Sequence, residues 1–225
     1  LPHEWIPGGR AVARALLRRC DGVIFHSRHV MTRAAVLGCR SPSAVARVPL
    51  LIGGREAEGR PLPELMEAWQ RGARLFVCAG HVRKYKGLGI LAAAWRRAAP
   101  ADDALLVVAG ERLGARRDLR ALRQLGTQIR IIPRYLDEGE LTWLLRHAEA
   151  VFLPYVAASQ SGLLPAAMRL ACHVVVSNAG GLSEETSGGR AANLTIVPAG
   201  DIDAMAASIR QLSMRPVSRE ESHPD

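Results

Sequence analysis

Short apolar runs alternate with longer amphipathic stretches along most of the 225-residue chain. From Leu75 onward the pattern predicts strand Leu75–Ala79, helix Gly87–Ala98, strand Ala104–Ala109, helix Ala115–Leu125 and strand Gln128–Ile132. It continues with helix Asp137–His147, strand Ala150–Leu153, helix Gly162–Leu170, strand His173–Ser177 and helix Asp201–Leu212. Strands that are apolar throughout, separated by helices with a 3.6-residue period, predict a parallel sheet covered on both faces. The expected fold class is α/β, a doubly wound Rossmann-like parallel sheet over residues 75–215.

The preceding residues read differently. Helix Arg10–Cys20, strand Gly22–His26, helix Ser27–Leu37 and strand Val45–Leu50 form a unit too small to cover both faces of its own sheet. Residues 1–50 are therefore expected to be a partial α/β remnant of a larger domain, and the chain a piece of a longer protein. The Gly-, Pro- and charge-rich stretch Ile52–Pro63 marks a linker, so residues 51–74 hold that linker and a first helix leading into the sheet. Residues 216–225 are polar and proline-bearing, a flexible tail.

Composition narrows the functional classes. Hydrophobic residues make up 48% of the chain, enough for a substantial core, yet no apolar run approaches the roughly 18 residues of a spanning helix. No signal-peptide pattern opens the chain, and the four cysteines lie far apart, which favours a reduced, cytoplasmic protein. The net charge of +9 points to an anionic partner, which could be nucleic acid, an acidic membrane surface or a phosphorylated small molecule. With aromatics at only 4% and none interleaved with the arginines, a base-stacking platform is absent, and nucleic acid is not expected. Arg14, Arg18 and Arg19, and again Arg116, Arg117, Arg120 and Arg123, lie on helix faces that are either solvated or set against the inner face of a membrane.

In a doubly wound sheet, ligands sit beyond the carboxyl ends of the strands. The first loop there is Gly80-His81-Val82-Arg83-Lys84-Tyr85-Lys86-Gly87, basic and followed by a helix N-terminus that supplies free N–H groups and a positive dipole end. Lys84 and Lys86 are the only lysines among 30 basic residues. Either a compact ammonium is needed at a crowded phosphate, or the pair is a solvated patch. The second loop, Pro154 to Gly162, carries Ser159-Gln160-Ser161-Gly162, which can cap the next helix or form an anion nest. The third, Asn178 to Glu185, contains Gly180-Gly181, read either as backbone lying close to a sugar or as a turn with a capping serine. His26 and His29 have a weak metal spacing without further ligands, and no metal site is expected.

Together the stretches GHVRKYKGLGIL, LLVVAGE and LPYVAASQSGLLPAAMRLACHVVVSNAGGLSEE, with LPHEW and CDGVIFHS ahead of them, resemble the glycosyltransferase family 4 (group 1) C-terminal domain. The likeness is to the branch with an Ala-Ser/Thr-Gln-Ser-Gly motif. It implies a GT-B fold whose N-terminal, acceptor-binding domain is mostly missing here. It also implies a retaining transferase that moves a sugar from a nucleoside diphosphate to a glycan or lipid-linked acceptor, with no cofactor or metal. By that resemblance Arg83 and Lys86 hold the donor diphosphate, with Ser161 and Gly162 supporting it. Gly80, Glu111, Tyr135, Ser159 and Gln160 are further candidates for the donor sugar or nucleoside, and His3 and Glu4 for the acceptor cleft. Two glutamates usual in the wider family are replaced by Ala158 and Ala166, so no catalytic residue is assigned, and a non-catalytic nucleotide-sugar-binding module is the alternative.

Overall fold

The computed structural model describes residues 8–46, 58–170, 173–186 and 192–216. Its main body is a six-stranded, all-parallel sheet of β3 (Arg74–Ala79), β4 (Ala104–Ala109), β5 (Ile129–Ile132), β6 (Ala148–Leu153), β7 (His173–Ser177) and β8 (Leu194–Val197). The spatial order is β5-β4-β3-β6-β7-β8, the doubly wound order in which the direction of winding reverses between β3 and β6.

Every residue of β3 and β4 is buried, as expected of central strands covered on both faces. Leu75, Val77 and Ala79 point into one core layer beneath α3 (Pro63–Gln70), α6 (Glu138–Arg146), α7 (Leu163–Arg169) and α8 (Leu182–Thr186). Phe76 and Cys78 point into the other, beneath α4 (Leu88–Ala98), α5 (Arg116–Arg123) and α9 (Ile202–Ser213). Helix boundaries follow local chemistry. Asp137 and Glu140 form a reciprocal capping box at the start of α6, and the Asp201 carboxylate accepts from Ala204 N–H at 2.9 Å to start α9.

The sheet has one more strand than the periodicity predicts. β8 is a four-residue edge strand, only partly buried, whose register runs Val174↔Leu194 to Ser177↔Val197. A single short run with one buried residue has no repeat to read.

The smaller sheet pairs β1 (Val23–Phe25) with β2 (Ser43–Val45) in parallel, flanked by α1 (Gly9–Leu17) and α2 (Arg28–Val36). Its core is Leu17, Phe25 and Ala34, while Leu16 and Ile24 stand 60% and 68% exposed. The unit leaves these apolar side chains on its surface. The predicted strand Val45–Leu50 shares only Val45 with β2, and its residues 47–50 lie outside the described residues, as do residues 52–57 of the expected linker. The tail from residue 217 and the candidates His3 and Glu4 also lie outside them.

Candidate functional site

Because β3 and β6 are neighbours at the point of reversal, the loops that follow them meet at the carboxyl edge of the sheet, where a doubly wound fold carries its ligand crevice. These are the basic loop Gly80–Gly87 and the loop Pro154–Gly162. They are joined through the backbone. Val156 N–H donates to Tyr85 O at 2.9 Å, and a Cβ on Gly87, which has φ +68°, would lie 1.9 Å from Pro154 O. Only glycine permits that approach.

Lys86 ends a short 3-10 turn, Lys84–Lys86, and its side chain folds inward until it is 8% exposed. Its ammonium donates to the Tyr155 hydroxyl and lies 4.3 Å from the centre of the Tyr155 ring. The Tyr155 hydroxyl is 3.4 Å from Ser161 Oγ, which in turn accepts from Leu164 N–H in the first turn of α7 at 3.4 Å. Below lies Cys78, fully buried, whose thiol is pushed up to about 11 by desolvation against the pull of the Lys86 charge. Desolvation also lowers the Lys86 pKa, since burial penalises its charged form. Among the described residues no carboxylate pairs with Lys86, and its partners are neutral.

The other candidates take distinct places. Arg83 is half-buried at the head of the 3-10 turn, its carbonyl accepting from Lys86 N–H at 3.1 Å. Gly80 has φ +98° and stands against the Lys86 ammonium, where an added Cβ would come within 3.2 Å. Glu111 is on the loop after β4. Its carbonyl accepts from Val82 N–H at 2.8 Å, and its carboxylate lies 3.8 Å from His81 on the open surface. Ser159 and Gln160 are half-buried beside Ser161, and Gly162 faces open space with an ordinary φ of −66°. Tyr135 follows edge strand β5, two strands from the crevice, and is 70% exposed.

Gly180 and Gly181 have a reason beyond the two that sequence offers. Cβ atoms there would lie 2.2 Å from Ala158 O and 1.9 Å from Ser159 O, so the loop after β7 presses its backbone onto the loop after β6. That contact props up the Ser159–Gly162 turn. Ala158 and Ala166, in place of the two glutamates, are buried at 5% and 2%. Sequence reasoning does not nominate Tyr155, although it follows directly on a buried strand and a proline. A phenol in that place needs a polar partner, and this is the signal that could have found it.

Comparison with known proteins identifies the family. The family model described as "Glycosyl transferases group 1" matches residues 73–214, more than half of the chain. The chain belongs to the group 1 glycosyl transferases. As such it has the expected structural neighbours. It is similar to HepE from Anabaena in complex with UDP and glucose, at 18% identity and TM-score 0.76 over 94% of this chain and 59% of that one. It is also similar to sucrose-phosphate synthase from Thermosynechococcus elongatus, at 18% and 0.72 over 94% and 56%. A UDP-forming α,α-trehalose-phosphate synthase from Burkholderia xenovorans in complex with glucose-6-phosphate matches at 15% and 0.72, again over 94% and 56%. At such identities these neighbours establish the GT-B fold of this group 1 chain, which spans somewhat over half of their length. No curated protein matches the sequence.

Among the described residues no cluster of three or more His, Cys, Asp or Glu side chains is placed to hold a metal ion. No described helix is long and apolar enough to cross a membrane.

Proposed function

We propose that the chain binds the diphosphate of a nucleoside diphosphate sugar in the crevice between β3 and β6, as the donor half of a retaining glycosyltransferase acting on a glycan or lipid-linked acceptor. The observation that carries this reading is the Lys86 ammonium, buried at the switch point against neutral partners. A buried cation is costly unless an anion pairs with it. A diphosphate would supply that charge, with Arg83 beside it and the Ser161–Gly162 turn opposite. Fixed cations facing the departing diphosphate stabilise the charge that develops on it, so the reading requires no metal. UDP is the first probe, because UDP stands in the HepE complex.

Calorimetry with UDP tests the reading. Binding is expected to persist in chelator and to weaken at least tenfold in Arg83→Ala and in Lys86→Ala. Unchanged affinity in both variants would refute the site. The same reading assigns residues 1–50 to the acceptor-binding half, and Gly80, Glu111, Tyr135, Ser159 and Gln160 to the sugar or nucleoside.

The basic face of α5 supports peripheral contact with an anionic membrane. Arg116, Arg117, Arg120 and Arg123 are all exposed, and among the described residues none has an ion-pair partner. Cosedimentation with anionic phospholipid vesicles should fall with salt and vanish when all four become Gln. Vesicle binding that survives the fourfold change would exclude this face.

Buried Ala158 and Ala166 favour a second reading, a non-catalytic nucleotide-sugar-binding module. It predicts UDP-sugar binding with no sugar transfer even when the chain is joined to a complete acceptor half.

A further inference from the structure

We propose that Tyr155 is the positioning residue of the phosphate site: its hydroxyl holds the Lys86 ammonium on one side and faces the Ser161 hydroxyl on the other, presenting the cation of one loop and the turn of the other as a unit. This role rests on the phosphate-binding reading of Lys86 given above.

The backbone of Tyr155 is fixed independently of its side chain. Pro154 O abuts Gly87, Val156 N–H reaches Tyr85 O, and Ser177 Oγ donates to Tyr155 O at 2.6 Å. The ring, 1% exposed, meets Tyr85 edge-on with centroids 5.8 Å apart. The phenol oxygen is therefore held at one point between two loops whose residues are some seventy positions apart in sequence. A lysine ammonium has three donors. One goes to Tyr155, which leaves the others to an incoming anion on the side kept open by Gly80.

Among the described residues, several ionisable and polar groups surround Lys86. Cys78 of β3 is a neutral thiol. Arg83, Lys84 and Tyr85 share its loop, and His81 lines the same recess with Gly80 and Val82. Asp118 of α5 acts on Lys84. Tyr155 and Ser161 come from the opposite loop. Burial disfavours the charged form of Lys86, and a hydrogen bond accepted from its ammonium by the Tyr155 hydroxyl is the kind of contact that favours that form.

The chain's only two lysines make a direct experiment possible. Competitive acetylation across alkaline pH, read by mass spectrometry, reports Lys86 with exposed Lys84 as internal reference. In the unaltered chain Lys86 is expected to titrate below the ordinary lysine value of 10.5 and to be protected by UDP. Tyr155→Phe keeps the ring and removes only the oxygen. Its Lys86 should titrate at still lower pH, and its UDP affinity at pH 7.5 should fall about 5- to 30-fold. Ser161→Ala, which breaks the chain at its other end, should weaken UDP binding while leaving the Lys86 titration in place.

Wild-type affinity and titration in Tyr155→Phe would overturn the proposal. So would weakened binding with an unmoved Lys86 titration, because a purely structural tyrosine would behave that way. If Tyr155→Phe fails to fold, wild-type UDP affinity in Ser161→Ala would overturn it. Failure of the unaltered chain to bind UDP would instead sink the phosphate reading, and this role with it.

Discussion

The carboxylate of Glu184 accepts hydrogen bonds from the backbone N–H groups of Arg28, at 2.7 Å, and of His29. Glu184 belongs to α8, behind the Gly180–Gly181 turn, whereas Arg28 and His29 open α2 in the smaller sheet unit. A helix start carries free N–H groups and the positive end of the dipole, so a carboxylate there stabilises it. Ser27 Oγ caps the same turn through Val30 N–H at 3.2 Å. Glu184→Ala is expected to cost about 0.5–2 kcal/mol, in the range of lost helix caps. Amide hydrogen exchange should speed up in α2 and leave β3 and β4 unchanged. Uniform acceleration everywhere would show that Glu184 does not act locally.

Replacing Lys86 by Met separates stability from binding. Burial holds the Lys86 pKa below its ordinary value, so near that pKa the unfolded chain binds more protons than the folded one. Stability of the unaltered protein, measured relative to Lys86→Met, should therefore rise with pH from the folded Lys86 pKa up to the ordinary value of 10.5. Below that window the buried charge carries its full cost. At pH 7 Lys86→Met should unfold about 2–4 °C higher for each kcal/mol gained, while UDP binding is lost. A less stable variant would mean that Lys86 holds the fold together.

The glycines sort by geometry. Gly162 has an ordinary φ and open space around its Cβ position, so Gly162→Ala should leave thermal stability within about 0.5 kcal/mol and act only on UDP affinity. Gly181→Ala would drive a Cβ to 1.9 Å from Ser159 O, a backbone atom that cannot step aside. It should cost about 1–3 kcal/mol, the range for overpacked sites. Equal melting temperatures for the two variants would contradict this sorting.

Arg134 donates to both Glu140 oxygens, at 2.8 and 2.9 Å, and to both Glu64 oxygens, at 2.9 and 3.2 Å. The Arg134 hydrogen bonds hold both carboxyls below their ordinary 4.5. A lowered folded pKa means that the stabilisation is complete above the unfolded value and disappears as pH falls through the folded one. Arg134→Gln should thus cost stability at pH 7, about 1 kcal/mol given the solvent screening of Arg134 and Glu64, with Glu140 left buried. The difference from the unaltered protein should vanish in acid below the folded carboxyl values. A cost that persists there would implicate packing.

The doubly wound sheet was legible because β3, β4, β6 and β7 are almost wholly apolar and each is punctuated by a glycine or proline turn. β8 was not, because an edge strand shares its burial with solvent and alternates too briefly to register. The basic loop could be nominated from charge and spacing alone, yet sequence left open whether its lysines were solvated. The structure divides them, with Lys84 exposed and Lys86 buried. Buried Lys86 lies against Tyr155, which reaches the loop only through the pairing of strands distant in sequence. The same holds for Gly180 and Gly181, whose need for glycine arises from carbonyls of another loop.

The adjacency of β3 and β6 also bears on folding. Their neighbourhood is created by a crossover that carries β4 and β5, two of the six strands, between them in sequence, so Lys86 and Tyr155 meet only through a long-range strand pairing. No shorter stretch containing only one of the two loops can assemble a weaker version of the crevice. Nucleotide affinity should therefore appear all at once during refolding, and would report completion of the central sheet more faithfully than secondary-structure content does.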